Sequence, residues 1–284
     1  MKFGINTYLF SSPFTNESVS FFPQFKEWGF DFVEIAVEDP SNVDAKYVRK
    51  ALDHNQLECR SICAATGLGR DLRGTRKEQV TSLEYVQTLI DIAPILGSQL
   101  VAGPVYSSVG RADLVPEDKK EKQWKTVVKN LTILADYAGE RNVKLALEPL
   151  NRYETDFINT CEQVLKLIAD VRSDALMVHL DSFHMNLEEK DPALAIKMAG
   201  SKLALLHASG SDRGTPGNDQ INWDRIFAAL DNINYQGDIV IESFTPDVKV
   251  IAKAASIWRQ VEPSKEAIAV DGLRFLRGLG CYIR

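Results

Sequence analysis

The chain has 284 residues, of which 45% are hydrophobic and 25% are charged, a composition typical of a soluble globular protein. Acidic residues outnumber basic ones by 39 to 33, so the formal charge is −6, and no block of Lys and Arg stands out. This balance argues against nucleic acid and against an anionic membrane as partners, and no stretch approaches the roughly 18 apolar residues of a membrane span.

Short apolar runs typical of buried strands alternate with helical segments along the whole chain. The strand-like runs begin near residues 2, 32, 57, 99, 143, 175, 203 and 238. Helical spacing is found at 18–28, 43–54, 77–96, 119–141, 160–172, 192–200, 222–233 and around 265–278. This alternation predicts a parallel sheet with right-handed crossovers, and eight units are the number that closes a barrel. We expect an α/β fold, a (β/α)8 TIM barrel, as a single domain over residues 1–284.

The first residues of the chain and its cysteines indicate the cellular compartment in which the protein works. The sequence M-K-F-G-I-N-T-Y enters an apolar strand at once, without the sustained apolar segment and cleavage site of a secretory leader. The four cysteines, Cys59, Cys63, Cys161 and Cys281, fall in or near apolar segments. They resemble small buried hydrophobic residues more than a disulfide set or a thiolate metal site. We therefore expect a cytoplasmic enzyme.

Four residues of metal-binding type stand where four of the apolar runs stop. The runs K-L-A-L-E, A-L-M-V-H-L-D, L-A-L-L-H and D-I-V-I-E end at Glu148, Asp181, His207 and Glu242. The carboxyl ends of barrel strands meet at one rim, which is where active sites lie, so the four side chains should gather there. Three carboxylates and one imidazole suit Mn²⁺, Co²⁺ or Mg²⁺ better than a structural zinc. The alternative is that they are solvated caps of strand ends.

The order of the strands suggests what such a site could do. A divalent ion chelated by a carbonyl oxygen and a neighbouring hydroxyl would stabilise the charge that appears when the adjacent carbon loses a proton. Glu148 on the fifth strand and Glu242 on the eighth can face each other across the barrel mouth. Two carboxylates on opposite faces of a planar enediolate could remove a proton from one side and return it from the other. That reaction inverts a stereocentre.

Further polar residues follow the four predicted ligands. Glu154, His184 and Arg213 are expected on rim loops, where they could hydrogen-bond sugar hydroxyls. His179 should share the inward face of Asp181, because side chains alternate along a strand, and we expect it in the barrel interior or supporting a ligand.

Several less specific positions remain open at this stage. Glu34 lies inside the run F-V-E-I-A-V and needs a partner, either in the pocket or in an internal hydrogen bond. Phe10 and Leu68 are candidates for apolar pocket walls. The pair Trp258 and Arg259 is expected to pack a loop near the rim.

Five segments together resemble a known family. They are E-P-L-N-R-Y-E, H-L-D-S-F-H-M-N-L-E-E, the stretch from His207 to Arg213, I-E-S-F and the late I-W-R. The chain resembles the D-tagatose 3-epimerase family, which includes D-psicose (allulose) and L-ribulose 3-epimerases, within the xylose-isomerase-like TIM barrels. The match is strongest over 143–260, and D-S-F-H-M-N-L-E-E is its most specific element.

The resemblance implies roles for these residues. It makes Glu148, Asp181, His207 and Glu242 the ligands of one divalent ion, Mn²⁺ first, with Co²⁺ or Mg²⁺ as alternatives. It makes Glu148 and Glu242 the acid/base pair and Glu154, His184 and Arg213 the contacts to the sugar. The implied reaction inverts C3 of a free ketose of the D-tagatose, D-psicose, D-fructose or L-ribulose type through a cis-enediolate. It also implies a homodimer or homotetramer.

Substrate preference and other reactions stay open. Val109 falls where better-known D-psicose epimerases carry a tryptophan, at a position that contacts the distal end of the sugar.

An aldose–ketose or keto-inositol isomerase would use a similar metal centre, as would a lyase or dehydratase acting on a keto-sugar. A DNA-repair endonuclease would need more histidine ligands and a basic face. A binding module without activity would leave the two glutamates without a use.

Overall fold

Eight parallel strands close into a barrel in chain order. The structure is a computed structural model that describes residues 1–280. Its strands are β1 (Phe3–Asn6), β2 (Phe32–Val37), β3 (Glu58–Ala64), β4 (Leu100–Gly103), β5 (Lys144–Leu147), β6 (Leu176–Asp181), β7 (Leu203–Ala208) and β8 (Asp238–Ile241). The ring closes where β1 pairs with β8, with Gly4 beside Val240. The predicted TIM barrel is confirmed.

Helices connect the strands and cover the outside of the barrel. They are α1 (Phe22–Glu27), α2 (Ala45–His54), α3 (Arg76–Leu96), α4 (Glu117–Gly139), α5 (Cys161–Val171), α6 (Ser182–Glu188), α7 (Pro192–Ala199), α8 (Trp223–Asn232), α9 (Lys249–Ala254) and α10 (Lys265–Gly280). Capping boxes begin α3 at Thr75 and α5 at Thr160, as their sequences favour. Among residues 1–280, no helix has the length and apolarity needed to cross a bilayer.

The barrel interior has two halves of opposite chemistry. Strand alternation turns every second side chain inward. The lower half, toward the amino ends of the strands, is an apolar cluster of Phe32, Ala102, Ala146, Leu205 and Val240. The upper half, toward the carboxyl ends, holds the buried polar residues Asn6, Glu34, Glu148, His179, Asp181, His207 and Glu242.

Phe32 is fully buried at the amino end of β2, and Gly4 makes room for its ring. A Cβ atom built on Gly4 would lie 2.3 Å from the Phe32 ring, closer than real contacts allow. The lower half therefore depends on a residue without a side chain at position 4.

Four smaller expectations are wrong. His184 lies on α6, a short helix, and not on a loop. Phe10 packs in the core against Phe25, with ring centroids 4.9 Å apart, and does not line the cavity at the rim. Leu68 is 92% exposed and Trp258 is 74% exposed, so neither forms a wall or packs the rim. Cys281 lies outside the described residues.

Candidate metal centre and substrate pocket

The barrel brings the four predicted ligands together at one rim. Asp181 ends β6 and His207 stands near the end of β7, while Glu148 and Glu242 directly follow β5 and β8. One ligand atom from each lies within 4.8 Å of the others, and all four residues are buried. The strand order predicted from sequence therefore produces the expected cluster.

The cluster fits a divalent cation on chemical grounds. Glu148 Oε1 and His207 Nδ1 are buried without a hydrogen-bond partner among the described residues. Such atoms are costly unless something compensates them. Three carboxylates and one imidazole, with no thiolate, form a set that suits Mn²⁺, Co²⁺ or Mg²⁺. A buried divalent metal site at this rim is thus consistent with the geometry.

The two glutamates have their pKa values moved apart in the protein without a cation. Burial and the nearby Glu242 carboxylate raise the pKa of Glu148 well above its usual value. Burial opposes ionisation of Glu242 too, but His207 and Arg213 outweigh it and lower its pKa. Two neighbouring carboxyl groups whose pKa values diverge are typical of an acid/base pair.

Arg213 is held inside the site by several contacts. Its Nη1 donates to Asp181 Oδ2 at 2.5 Å and lies 3.4 Å from Glu242 Oε2. Its guanidinium carbon lies 4.3 Å from the Phe183 ring centroid and 4.9 Å from that of Phe244. The residue has a φ of 66°, a left-handed conformation unusual for a long side chain and often found at functional sites.

His184 and Glu154 complete the polar side of the site. The His184 Nδ1 accepts the backbone N–H of Asn151 at 3.1 Å, and its Nε2 lies 3.8 Å from Glu148 Oε1. Burial lowers the pKa of His184 well below its usual value, which favours the neutral ring. Glu154 accepts from Asn151 Nδ2 at 2.7 Å, and burial raises its pKa. The three proposed sugar contacts therefore surround the two glutamates.

A cavity of about 340 Å³ opens above this cluster. Glu148, Glu242, His184, Arg213 and Glu154 all line it. Its lining also includes the polar residues Ser12, Glu38 and Arg70 and the apolar residues Val109, Val250 and Ile251. Val109 thus lies in the pocket wall, where the resemblance placed it.

The sequence left Glu34 open between the pocket and an internal hydrogen bond, and it did not single out Asn6, Asn151 or Tyr106. Glu34 and Asn6 lie beneath His207 and Glu242, and Asn151 holds both His184 and Glu154. The Tyr106 hydroxyl donates to the backbone carbonyl of Glu148 at 2.6 Å. Alternation along β2 was a usable signal for Glu34, since Phe32 and Glu34 must share one face. The contacts of Asn151 and Tyr106 depend on loop geometry that no local pattern encodes.

His179 occupies the interior as expected. It is fully buried on β6, and its ring lies edge-to-face with His207 at a centroid distance of 4.0 Å. Its Nδ1 lies 3.6 Å from Glu148 Oε2, beyond hydrogen-bond distance. A second possible group of ligands, Glu148, His179 and His207, overlaps the first. His179 therefore lies next to the four-residue cluster and shares Glu148 and His207 with it in this second group.

Comparison with known proteins agrees with this architecture. Residues 22–279 match the model of the xylose isomerase-like TIM barrels. A probable ketose 3-epimerase from Synechocystis sp. is 35% identical over 280 residues, which are 98% of this chain and 96% of that protein. An L-ribulose 3-epimerase from Mesorhizobium japonicum is 31% identical, over 98% of this chain and 94% of its own.

The solved structures give the same result. A D-allulose 3-epimerase from Methylomonas sp. in complex with D-allulose superposes with a TM-score of 0.90 at 26% identity, covering 98% of this chain and 96% of that one. The site described above and these similarities place the chain in the xylose isomerase-like TIM-barrel family, among the ketose, D-psicose and L-ribulose 3-epimerases.

Proposed function

We propose that this protein is a ketose 3-epimerase that inverts C3 of a free ketose. The observation that carries the proposal is the pair Glu148 and Glu242, two buried carboxylates in one cation-binding cluster whose pKa values are shifted in opposite directions. Inversion at a carbon requires one group to accept a proton and another to donate one from the opposite face. The relatives named as ketose and L-ribulose 3-epimerases support the same reaction.

The proposed mechanism assigns a task to each residue. Glu148, Asp181, His207 and Glu242 would hold one divalent cation. The bound cation supplies electrostatic stabilisation of negative charge on the oxygens beside the reacting carbon. The ionised Glu242 accepts the C3 proton from one epimer, which leaves a planar enediolate. Glu148 then delivers a proton to the other face, and the two residues exchange tasks for the opposite epimer.

The remaining polar residues orient the sugar in this proposal. Arg213 presents N–H groups beside the two glutamates, and the His184 Nε2 lies 3.0 Å from Arg213 Nη2 in the wall of the cavity. Glu154 offers an acceptor that Asn151 holds in place. Hydrogen bonds from such fixed groups keep the C3–H bond aimed at a carboxylate, and this positioning contributes to the rate.

Further parts of the proposal concern the protein as a whole. Mn²⁺ as the native metal and a homodimer or homotetramer follow from the family resemblance, and one domain over residues 1–284 follows from the unbroken alternation of strand and helix segments. A cytoplasmic location agrees with the buried, free thiols of Cys59, Cys63 and Cys161. Metal analysis of the purified protein, light scattering and cell fractionation test these points separately.

Proton exchange at C3 tests the function. The protein is stripped with EDTA and incubated in D₂O, with and without Mn²⁺, with D-fructose, D-psicose, D-tagatose, D-ribulose or L-ribulose. We expect Mn²⁺-dependent deuterium at C3, seen by NMR, together with the C3 epimer of at least one ketose. Deuterium at C1 or C2 with an aldose product would show an isomerase, and no exchange with any of the five sugars would overturn the proposal.

A further inference from the structure

We infer that Glu34 is a positioning residue that fixes the tautomer of His207, so that Nδ1 of this ring carries the lone pair offered to the cation. The inference rests on the proposed metal centre and not on the identity of the sugar. It gives a role to a buried carboxylate that is neither among the cavity-lining residues nor in the four-ligand cluster.

The contact between the two side chains spans the barrel interior. Glu34 projects from β2, and His207 projects from β7, which lies three strands away around the ring. The His207 Nε2 and Glu34 Oε1 are 2.7 Å apart, and both side chains are fully buried. A separation of this size between a ring nitrogen and a carboxylate oxygen is a short hydrogen bond.

The chemistry of the pair decides which nitrogen carries the proton. A carboxylate can only accept, so the His207 Nε2 must be the N–H donor. A neutral imidazole with its proton on Nε2 has its lone pair on Nδ1. Nδ1 is the nitrogen that faces the cluster, 3.3 Å from Glu242 Oε2. The proton is therefore kept on the side of the ring away from the other ligands.

Asn6 holds the carboxylate in this position. Its Nδ2 donates to Glu34 Oε1 at 2.7 Å and to Glu242 Oε1 at 3.1 Å. Asn6 and Glu34 are register partners on the paired strands β1 and β2, so the backbone fixes their separation. The amide thus connects the carboxylate that orients one ligand to a second ligand.

Glu34 is not itself in the ligand cluster. The two groups of residues able to surround a cation within the described chain are Glu148–His179–His207 and Glu148–Asp181–His207–Glu242, and neither includes Glu34. The carboxylate lies against Nε2, whereas the cluster lies beside Nδ1. A partner on the far nitrogen of a metal-binding histidine orients the ring and raises its basicity.

The metal affinity of the protein tests the inference without any sugar. Mn²⁺ binding to the wild type, Glu34→Gln and the control Asp238→Asn is measured by titration calorimetry after EDTA treatment. Asp238 is also a barrel carboxylate, but it pairs with Arg60 at the amino end of β8. We expect Kd to rise roughly 10–100-fold in Glu34→Gln and to stay unchanged in Asp238→Asn. A wild-type Kd in folded Glu34→Gln would overturn the inference.

A second measurement uses the wild type, so it tests the inference even if Glu34→Gln does not fold. In wild-type protein loaded with diamagnetic Mg²⁺, ¹⁵N NMR of the histidine rings should show the His207 Nε2 protonated and Nδ1 free of hydrogen. A proton on Nδ1 in this sample would overturn the inference. Neither measurement uses a ketose, so the two proposals can fail separately. A higher Kd for Mn²⁺ in Glu34→Gln, together with no C3 exchange in the wild type, would reject the proposed reaction and keep the role of Glu34.

Discussion

The two halves of the barrel interior are built on the same strands and have opposite properties. On β2, Phe32 fills the lower half, and Glu34, two residues further on, belongs to the upper half. At the carboxyl end of β8, Val240 on the strand and Glu242 just after it make the same change from apolar to ionisable. The comparison teaches that one alternating pattern supplies packing at the amino ends of the strands and chemistry at their carboxyl ends.

The free-energy cost of burying the side chains differs between the two halves of the barrel interior. The five residues of the lower half have no polar side-chain atoms to satisfy. In the upper half, buried atoms of Glu34, Glu148, His179 and His207 have no hydrogen-bond partner among the described residues. An unpaired buried polar group is destabilising, so the upper half reduces stability unless a ligand compensates it. The predictions below test this division from the largest expected effect to the smallest.

Glu242→Gln should abolish most of the catalytic activity of the upper half and leave the packing of the lower half intact. The amide keeps the shape of the side chain but cannot accept the C3 proton, so we expect kcat to fall by roughly 10²–10⁴-fold. Circular dichroism and thermal unfolding should show an intact fold. NMR exchange at C3 under saturating Mn²⁺ measures the rate, and a loss of less than tenfold would remove Glu242 from the acid/base pair.

Phe32→Ala should weaken the packing of the lower half and leave the chemistry of the upper half intact. It removes a fully buried ring from the bottom of the barrel, and such truncations cost about 3–5 kcal/mol in the free energy of unfolding. Chemical denaturation measures this loss. We expect the folded fraction to keep a kcat close to that of the wild type, because the ring belongs to the apolar cluster and not to the group of proposed ligands. A large loss of kcat in fully folded protein would show that the halves are not separable.

A cation should stabilise the upper half selectively. A ligand that binds only the folded state adds about 2.7 kcal/mol at a concentration of 100 times its Kd. We therefore expect Mn²⁺ to raise the melting temperature of EDTA-treated wild type, and to raise that of Phe32→Ala by a comparable free energy. Asp181→Asn, which lacks one proposed ligand, should gain much less. Equal gains in Asp181→Asn and wild type would place the cation elsewhere.

The smallest effect concerns pH in the metal-free protein. Burial and Glu242 raise the folded-state pKa of Glu148 above the unfolded value of about 4.3. Between these two values unfolding releases a proton, so stability is full at lower pH and declines as pH rises. Glu148→Gln lacks this decline. We expect it to melt a few degrees higher than wild type near neutral pH in EDTA.

The pH profile provides the control for that last prediction. The difference in melting temperature between the two proteins should shrink as pH falls toward the ordinary glutamate range. A difference that is constant, or that grows toward acid pH, would contradict the raised pKa of Glu148.

The sequence predicted the fold and the cluster because both follow from local patterns. The apolar runs mark the strands, and residues such as Asp181 and Glu242 stand at their carboxyl ends, so barrel geometry alone brings them together. The expectation that His184 lies on a loop was wrong. The usable signal was Asp181, a favoured N-cap residue whose side chain accepts the Phe183 N–H at 2.7 Å where α6 begins, but the sequence analysis interpreted Asp181 only as a metal ligand.

Contacts across the barrel could not be predicted in the same way. The hydrogen bond between Glu34 and His207 depends on the diameter of the barrel and on side-chain rotamers, which the sequence of one strand does not encode. The burial of Phe10 was missed for a related reason: its partners Phe21, Phe25 and Trp28 come from the following segment and favour packing outside the barrel.

The most direct test of the central claim is a crystal structure of the Mn²⁺-loaded protein with anomalous diffraction data. The claim is that the upper half of the barrel holds one cation through Glu148, Asp181, His207 and Glu242. We predict one anomalous peak per chain, bonded to the three carboxylates and to Nδ1 of His207. A peak bonded to His179, or no peak within this cluster, would contradict it.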